Sequence, residues 1–299
     1  MNEATILDMI AKTACMPKSV GVGPGDDLAV LEIGGATVMV GVDQVIVGRH
    51  VTPGTSWETI GRKAANRSLS DVAAMAGHPV ALLATGAVSK KTTDEDAIAF
   101  LRGLRSAADA VGIPLVGGDL ATLSEGDDGS VVTVTVLGEP TARGPVLRSG
   151  GCPGDSLYVT GVIGGAWAAP GADRHLTFDP RIAEALELQE RCTLHAMIDI
   201  SDGLGRDAAR LATASHCHGE IDLAAIPVAE GVTPRAAIQE GEEYELLFAA
   251  SGRVPDVLSS GCSVTKIGRL IDGTDSACAV SIRDGEVTWA GDELGWTHQ

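Results

Sequence analysis

Positive charge is scarce in this sequence. The 299-residue chain carries 22 Lys plus Arg against 40 Asp plus Glu, a net charge of −18. With no basic stripe to displace phosphate counterions, a nucleic-acid partner is excluded, and anionic membrane surfaces are disfavoured for the same reason. A phosphorylated small molecule remains compatible with this charge where metal cations intervene. Long apolar runs are also missing: none approaches the ~20 residues needed to span a bilayer. The N-terminus, MNEATILDMI, has acidic residues and no basic n-region, so it does not read as a secretory signal. The six cysteines (15, 152, 192, 217, 262 and 278) lack CxxC spacing, which predicts reduced thiols in a cytoplasmic protein rather than a disulfide framework. His216, Cys217 and His218 form a short metal-capable tract, but neighbours in a loop do not easily face one ion. There is no GxxxxGK[ST] segment, no protein-kinase motif set and no GxGxxG fingerprint after a strand.

What is present is globular. Hydrophobic residues make up 44% of the chain and charged residues 21%, enough for a large core and for two domains. A helix is expected over 3–14, strand material over 36–47, a helix over 56–77 with Ser56 as N-cap, and a strand over 80–88. The segment 93–112 has acidic residues in its first turn and Gly112 at its end. Its apolar stripe is Ile98, Leu101, Leu104, Ala108 and Val111. IPLVGGD reads as a strand that stops at its glycines, and 130–139 alternates with period two. The turn-rich stretch 143–165 reads as a domain junction. Beyond it come a helix at about 180–193, a strand feeding a helix in AMIDISDGLGRDAARLATAS, strands at 243–250 and 263–270, and a hairpin across 278–290. Period-two strands among helices imply an α/β fold with mixed sheets, divided into domains 1–142 and 143–299.

The aspartates carry the chemistry. Asp26 and Asp27 precede an apolar run, Asp43 lies inside VMVGVDQVIV, and Asp71 lies in SLSDVAAM. Asp119 ends PLVGGD, and Asp199 and Asp202 flank Ser201. Each alone has a bland reading as a cap, a turn former or a solvated loop end. Asp43 and Asp199 resist it, because a lone carboxylate among apolar neighbours needs a partner. Mg²⁺ is the common partner that fits: it takes hard oxygen ligands and is completed by water and phosphate. Nearby glycines let backbone amides approach a polyphosphate. The residues therefore read as a metal-dependent nucleotide site.

These motifs together resemble the thiamine-monophosphate kinase family, within the superfamily that includes aminoimidazole ribonucleotide synthetase. The matching segments are GPGDDLAVL, VDQVIVGRHV, SLSDVAAMAGHP, VGGDLAT, TVTVLGE, RSGGCPGDSLYVTG, IDISDGLGRD, GEEYELLF and a final GWTH. The resemblance implies a two-domain aminoimidazole ribonucleotide synthetase-like fold, a homodimer through joined N-terminal sheets, and transfer of the ATP γ-phosphoryl group onto thiamine monophosphate. By position it implies Asp27, Val42 (through its carbonyl), Asp43, Asp71, Asp119, Asp199 and Asp202 as Mg²⁺ ligands, with Asp43, Asp119 and Asp202 central to catalysis. It further implies Gly118, Asp119, Arg148 and Ser201 at ATP, and His50, Glu242 and Trp296 at thiamine phosphate. The family's usual Gly-Gly-Glu-Asp-Tyr-Glu reads Glu240-Gly241-Glu242-Glu243-Tyr244-Glu245 here, and its Asn before Leu-Ser-Asp is Ser68. Two rivals share most of the ligand set: an ATP-dependent enzyme of the superfamily with another acceptor, and a nucleotide- or thiamine-phosphate-binding protein without turnover.

Overall fold

The computed structural model describes residues 6, 9, 10, 12–14, 16–124, 126, 129–167, 173–273, 279–291, 294 and 295. Of the expected helix at 3–14, residues 6, 9, 10, 12 and 13 are helical and half of the stretch lies outside the described residues, as does Trp296.

Two mixed sheets organise the chain. The first comes from residues 20–140: β1 (Val20–Val22), β2 (Ala29–Ile33), β3 (Ala36–Ile46), β4 (Gly77–Val88), β5 (Leu115–Thr122) and β6 (Val131–Pro140). Their order is β1-β2-β3-β6-β4-β5. All neighbours are antiparallel except β4 and β5, whose parallel pairing requires a crossover. That crossover contains helix α2 (Asp94–Ala110).

The second sheet comes from residues 156–290: β7 (Ser156–Thr160), β8 (Thr193–Asp199), β9 (Cys217–Asp222), β10 (Leu246–Ser251), β11 (Val264–Asp272), β12 (Val280–Asp284) and β13 (Val287–Ala290). Its order is β13-β12-β9-β11-β7-β10-β8, with only β9 and β12 parallel. Helix α5 (Leu204–Ala214) lies on this sheet over the core of Leu157, Ile198, Leu211 and Leu247. The shorter α3 (Arg174–Thr177) and α4 (Ile182–Arg191) precede β8, and α6 (Pro234–Ala237) precedes β10.

Helix α1 (Trp57–Ala74) positions the site. It begins where expected, with Ser56 Oγ accepting the Thr59 N–H. It packs on β3, β4 and β6 of the first sheet and also meets α3, α4 and β8, so it is buried on nearly every side. Along one face it carries Lys63, Arg67 and Asp71, spaced by four residues. Charged groups on a helix buried all round need partners, and the site below supplies them.

Four details depart from the sequence reading. In α2 the buried residues are Phe100, Gly103, Leu104, Ala107 and Ala108, while Ile98 is exposed. The rotation follows from close helix contact: a Cβ on Gly103 would lie 1.9 Å from Glu58 O, and one on Gly61 2.2 Å from Phe100 O. Strand β5 runs through Gly117, Gly118 and Asp119 instead of stopping there, because their backbones stay paired with Leu83–Thr85. β7 forms inside the turn-rich stretch, between β10 and β11. β10 starts at Leu246, later than the apolar run, because Glu242 and Tyr244 adopt φ of 65° and 55°.

The N-terminus of α2 is a capping box, with Thr93 Oγ1 accepting the Asp96 N–H and Asp96 accepting the Thr93 N–H. Thr93→Ala is expected to lower unfolding free energy by about 1 kcal/mol without changing activity, as read by urea denaturation. An unchanged midpoint would show that the box contributes nothing.

Candidate active site

Three carboxylates from distant parts of the chain converge between the sheets. Asp27 lies in the loop before β2, Asp71 near the end of α1, and Asp199 at the end of β8. One oxygen of each lies within 4.8 Å of the others. Asp199 accepts the Ser70 hydroxyl at 2.6 Å. Asp27 is gripped by Arg148, with Nη2 at 2.7 Å and Nε at 3.2 Å. Asp26 in turn accepts the Arg148 backbone N–H, fixing the connection between the sheets at this point.

Burial and neighbouring negative charge, first of Asp199 and then of Asp43, hold Asp71 far above the ordinary carboxylate range. Burial and Asp27 raise Asp199 as well. Asp26 rises to about 6 through burial and Asp27. Three crowded hard-oxygen donors, two of them held above the ordinary carboxylate range by burial and by one another's charge, are a donor set that fits Mg²⁺.

Beside the cluster opens a cavity of about 590 Å³ lined by Asp43, His50, Arg67, Ser201, Asp202 and Glu242, among others. The loop after β8 forms one wall. Asp207, on α5, accepts the N–H groups of Ser201 and Asp202 at 3.0 and 2.9 Å, fixing the Asp-Ile-Ser-Asp-Gly turn. Gly203, at φ 108°, completes the turn into the helix. Segment 240–245 wraps this loop, its Glu242 N–H donating to Ser201 O and its Tyr244 N–H to Ile200 O. Gly241 is required there, since a Cβ would meet Ser201 O at 2.7 Å.

All four glutamates of that segment are engaged. Glu240 accepts backbone N–H groups of Gly165 and Trp167. Glu242 pairs with Lys63 and Arg67, Glu243 with Arg174, and Glu245 with Arg181. The segment is a set of internal anchors that tie the loop to α1, α3 and the approach to α4.

The expected site residues therefore separate into groups. Asp27, Asp71 and Asp199 come together. Ser201, Asp202, His50, Glu242 and Val42 line the same cavity, and Arg148 reaches the cluster through Asp27. Asp43, expected among the metal ligands, lines the same cavity and is clasped by Arg67, with Nε to Oδ2 at 2.6 Å and Nη2 to Oδ1 at 3.1 Å. The contact has a simple cause: α1, which carries Arg67, packs on β3, which carries Asp43. Asp202 is paired with Arg210 at 2.6 Å. Glu242, expected at substrate, is held by cations of the protein itself.

His50 accepts the Ile46 N–H on Nδ1 at 2.9 Å, so its proton sits on Nε2. Burial and Arg67 push it down to about 4, keeping the ring neutral. Gly118 and Asp119 are not in the cluster of their own chain. The register Asp43–Val134–Ala84–Gly118 places them three strands away, a distance of about 14 Å at ~4.8 Å per strand.

Several contributors were not singled out in the sequence. Arg67 and Lys63 lie at four-residue spacing before Asp71, a signal legible in principle as a charged stripe in a helix otherwise rich in small residues. Lys63 is fully buried, donating to His50 O at 2.7 Å and meeting His175 Nδ1 at 2.8 Å, and burial pushes it down to about 8. Trp167 lines the cavity and stacks on His175 with ring centroids 3.8 Å apart. The His216-Cys217-His218 tract does not converge: Cys217 is buried, and His218 Nε2 lies 2.9 Å from Ser281 Oγ.

Comparisons with known proteins agree with this geometry. Residues 25–139 match the family described as AIR synthase related protein, N-terminal domain. A thiamine-monophosphate kinase of Rhodopirellula baltica is 32% identical over 92% of this chain and 90% of its own length. One from Halobacterium salinarum is 33% identical over 92% of this chain and 94% of its own. The solved structure of AaThiL complexed with AMPPCP and TMP superposes with a TM-score of 0.81 at 26% identity, covering 100% of this chain and 97% of that one. Similarity on this scale, spanning both sheets and every element that lines the cavity, places the chain in the thiamine-monophosphate kinase family.

Proposed function

We propose that this chain transfers the γ-phosphoryl group of ATP directly onto the phosphate of thiamine monophosphate, giving thiamine diphosphate and ADP, with Mg²⁺ held by Asp27, Asp71 and Asp199. The observation that carries the reading is the convergence of those three carboxylates on a cavity in a chain of −18 net charge. Mg²⁺ would supply the positive charge that lets two polyanions share one site.

The residues do the rest by positioning. The acceptor oxygen is already ionised at neutral pH, so no strong base is needed, and neutral His50 is suited to donating through Nε2 rather than to taking a proton. Asp207 and segment 240–245 hold the Ser201–Asp202 turn at the cavity wall, a preorganised backbone surface for phosphate oxygens. Arg148 is the residue of the connection available to a nucleotide phosphate.

The reading includes a homodimer. β5 is an edge strand with Val116 and Leu120 about half exposed, at 56% and 51%. Such an edge favours pairing with a second copy, and Gly118 and Asp119 on it would then face a site only in the assembled pair. The free thiols of Cys152, Cys192, Cys217 and Cys262 suit the cytoplasm. No helix among the described residues is long and apolar enough to cross a membrane.

Incubation with ATP, Mg²⁺ and thiamine monophosphate is expected to yield thiamine diphosphate and ADP in equal amounts. ADP formed only with another acceptor would overturn the acceptor assignment, nucleotide binding without turnover would overturn the enzyme, and a phosphorylated protein on the reaction path would overturn direct transfer.

A further inference from the structure

A second group of ligating side chains lies away from the cavity. Cys152, Asp155 and His195 each offer one donor atom, and these three atoms lie within 4.8 Å of one another. His195 Nδ1 stands 2.9 and 2.8 Å from the two Asp155 oxygens, and Asp155 Oδ2 also accepts the Cys152 N–H at 2.7 Å. Asp155 is buried, whereas Cys152 is exposed and forms no disulfide. None of the three lines the cavity. His195 precedes Asp199 by four residues of β8, about 13 Å at ~3.3 Å per residue.

The backbone builds this group. Asp155 stands just before β7 and is tied to β11, where Gly154 N–H donates to Leu270 O and Leu270 N–H to Asp155 O, each at 2.8 Å. The turn back to Cys152 closes with the Asp155 N–H on Cys152 O at 3.0 Å. His195 comes from β8, an edge strand. The pairing of β8 with β10 steps from Ala196–Ala249 to Leu194–Ala250, so His195 is the extra residue of a bulge. A bulge of this kind re-aims its side chain. Along the same edge runs the strap 147–152. Met197 N–H donates to Leu147 O at 3.0 Å, and a Cβ on Gly150 would lie 2.7 Å from His195 O.

A thiolate, an imidazole and a carboxylate are donor types that Zn²⁺ takes, and three protein ligands leave its fourth position to water. Mg²⁺ requires oxygen ligands, so this group and the aspartate cluster select different metals.

We propose that Cys152, Asp155 and His195 form a Zn²⁺ site, separate from the aspartate cluster, that staples the strap between the two sheets onto β8. The strap carries Arg148, which grips Asp27 with its side chain and Asp26 with its backbone N–H. Arg148 O accepts the Ser215 hydroxyl, which in turn accepts the Gly151 N–H. An ion on Cys152 fixes the strap four residues beyond Arg148, using groups from β8 and from the start of β7. The exposed thiol gives the ion its path from solvent.

The test uses the full chain, freed of metal by chelation, with Co²⁺ as the probe. Thiolate ligation gives Co²⁺ a charge-transfer absorption that oxygen ligands do not. A single equivalent of Co²⁺ is expected to develop that band in the native protein under excess Mg²⁺, and Zn²⁺ to abolish it. Cys152→Ser and His195→Ala are each expected to lose the band and to weaken Zn²⁺ binding about 100-fold or more. Asp199→Asn, at the aspartate cluster, is expected to keep it. No band in the native protein, a band that survives in Cys152→Ser, or one lost in Asp199→Asn or under excess Mg²⁺ would overturn the proposal. Cys152 is exposed, so its replacement by Ser leaves the packing intact and no variant of the buried Asp155 is needed. The band does not depend on which acceptor is phosphorylated, so a failed thiamine monophosphate assay leaves it readable.

Discussion

Asp199→Asn is expected to lower kcat by at least about 100-fold, on the scale of removing one preorganised electrostatic partner from a charged transition state, and to make the metal-free protein more stable. The two effects share one cause. Asp199 is buried beside Asp71 and Asp27, and burial together with the charges of Asp27 and Asp207 disfavours its ionised form. Removing the charge relieves that repulsion, while the amide oxygen can still accept the Ser70 hydroxyl now held at 2.6 Å. A gain of about 1 kcal/mol, the value of a single pKa unit, corresponds to a Tm rise of about 2–4 °C in a chain of this size class. The same substitution should abolish the Tm increase that Mg²⁺ gives the native protein. Native turnover by the variant, or a lower Tm without metal, would remove Asp199 from the metal set.

Mg²⁺ should stabilise the protein more at about pH 8 than at about pH 6, because protons and metal compete for the same carboxylates. Asp26, Asp71 and Asp199 all have folded-state values above the ordinary carboxylate range. For such groups the folded state binds more protons than the unfolded chain. The stability they contribute is complete below the ordinary range of about 4 and is lost as pH rises through the raised values, first near 6 for Asp26. Metal-free Tm is therefore expected to fall as pH rises from about 5 toward 8. Saturating Mg²⁺ should flatten that slope, contributing about 2.7 kcal/mol at a hundredfold excess over Kd. Asp199→Asn separates this from the general repulsion of an acidic chain, since it should reduce the slope while leaving the other surface carboxylates unchanged. Equal slopes with and without Mg²⁺ would show that the cluster does not bind it.

Much of the local structure was legible in the chain. Ser56 marks one helix start because its side-chain oxygen satisfies an N–H that the helix leaves unpaired, and the acidic first turn of 93–112 marks another. The alternation over 130–139 becomes β6, in which every second residue is buried. Less legible were elements whose identity depends on neighbours. The buried face of α2 is set by Gly61 and Gly103 where two helices touch, not by its most apolar stripe. β7 survives in a turn-rich stretch because β10 and β11 pair with it on both sides. Segment 243–245 resembles a strand in composition, yet its backbone is bent by hydrogen bonds to Ile200 and Ser201.

The aspartates divide in the same way. Their residue types, the glycines beside them and the excess of negative charge were enough to name a metal-dependent phosphate chemistry, because a carboxylate in an apolar run has few physical partners. Which of them meet in space was not in the sequence. Asp27, Asp71 and Asp199 are separated by tens of residues and meet only because α1 packs against both sheets. Asp43 lies in an equally suggestive context, yet tertiary packing places Arg67 against it. The chemistry of each group was fixed by its side chain, whereas its partner was fixed by where α1 came to rest between the sheets, since charges of this kind act over a few ångströms and the chain order does not record those distances.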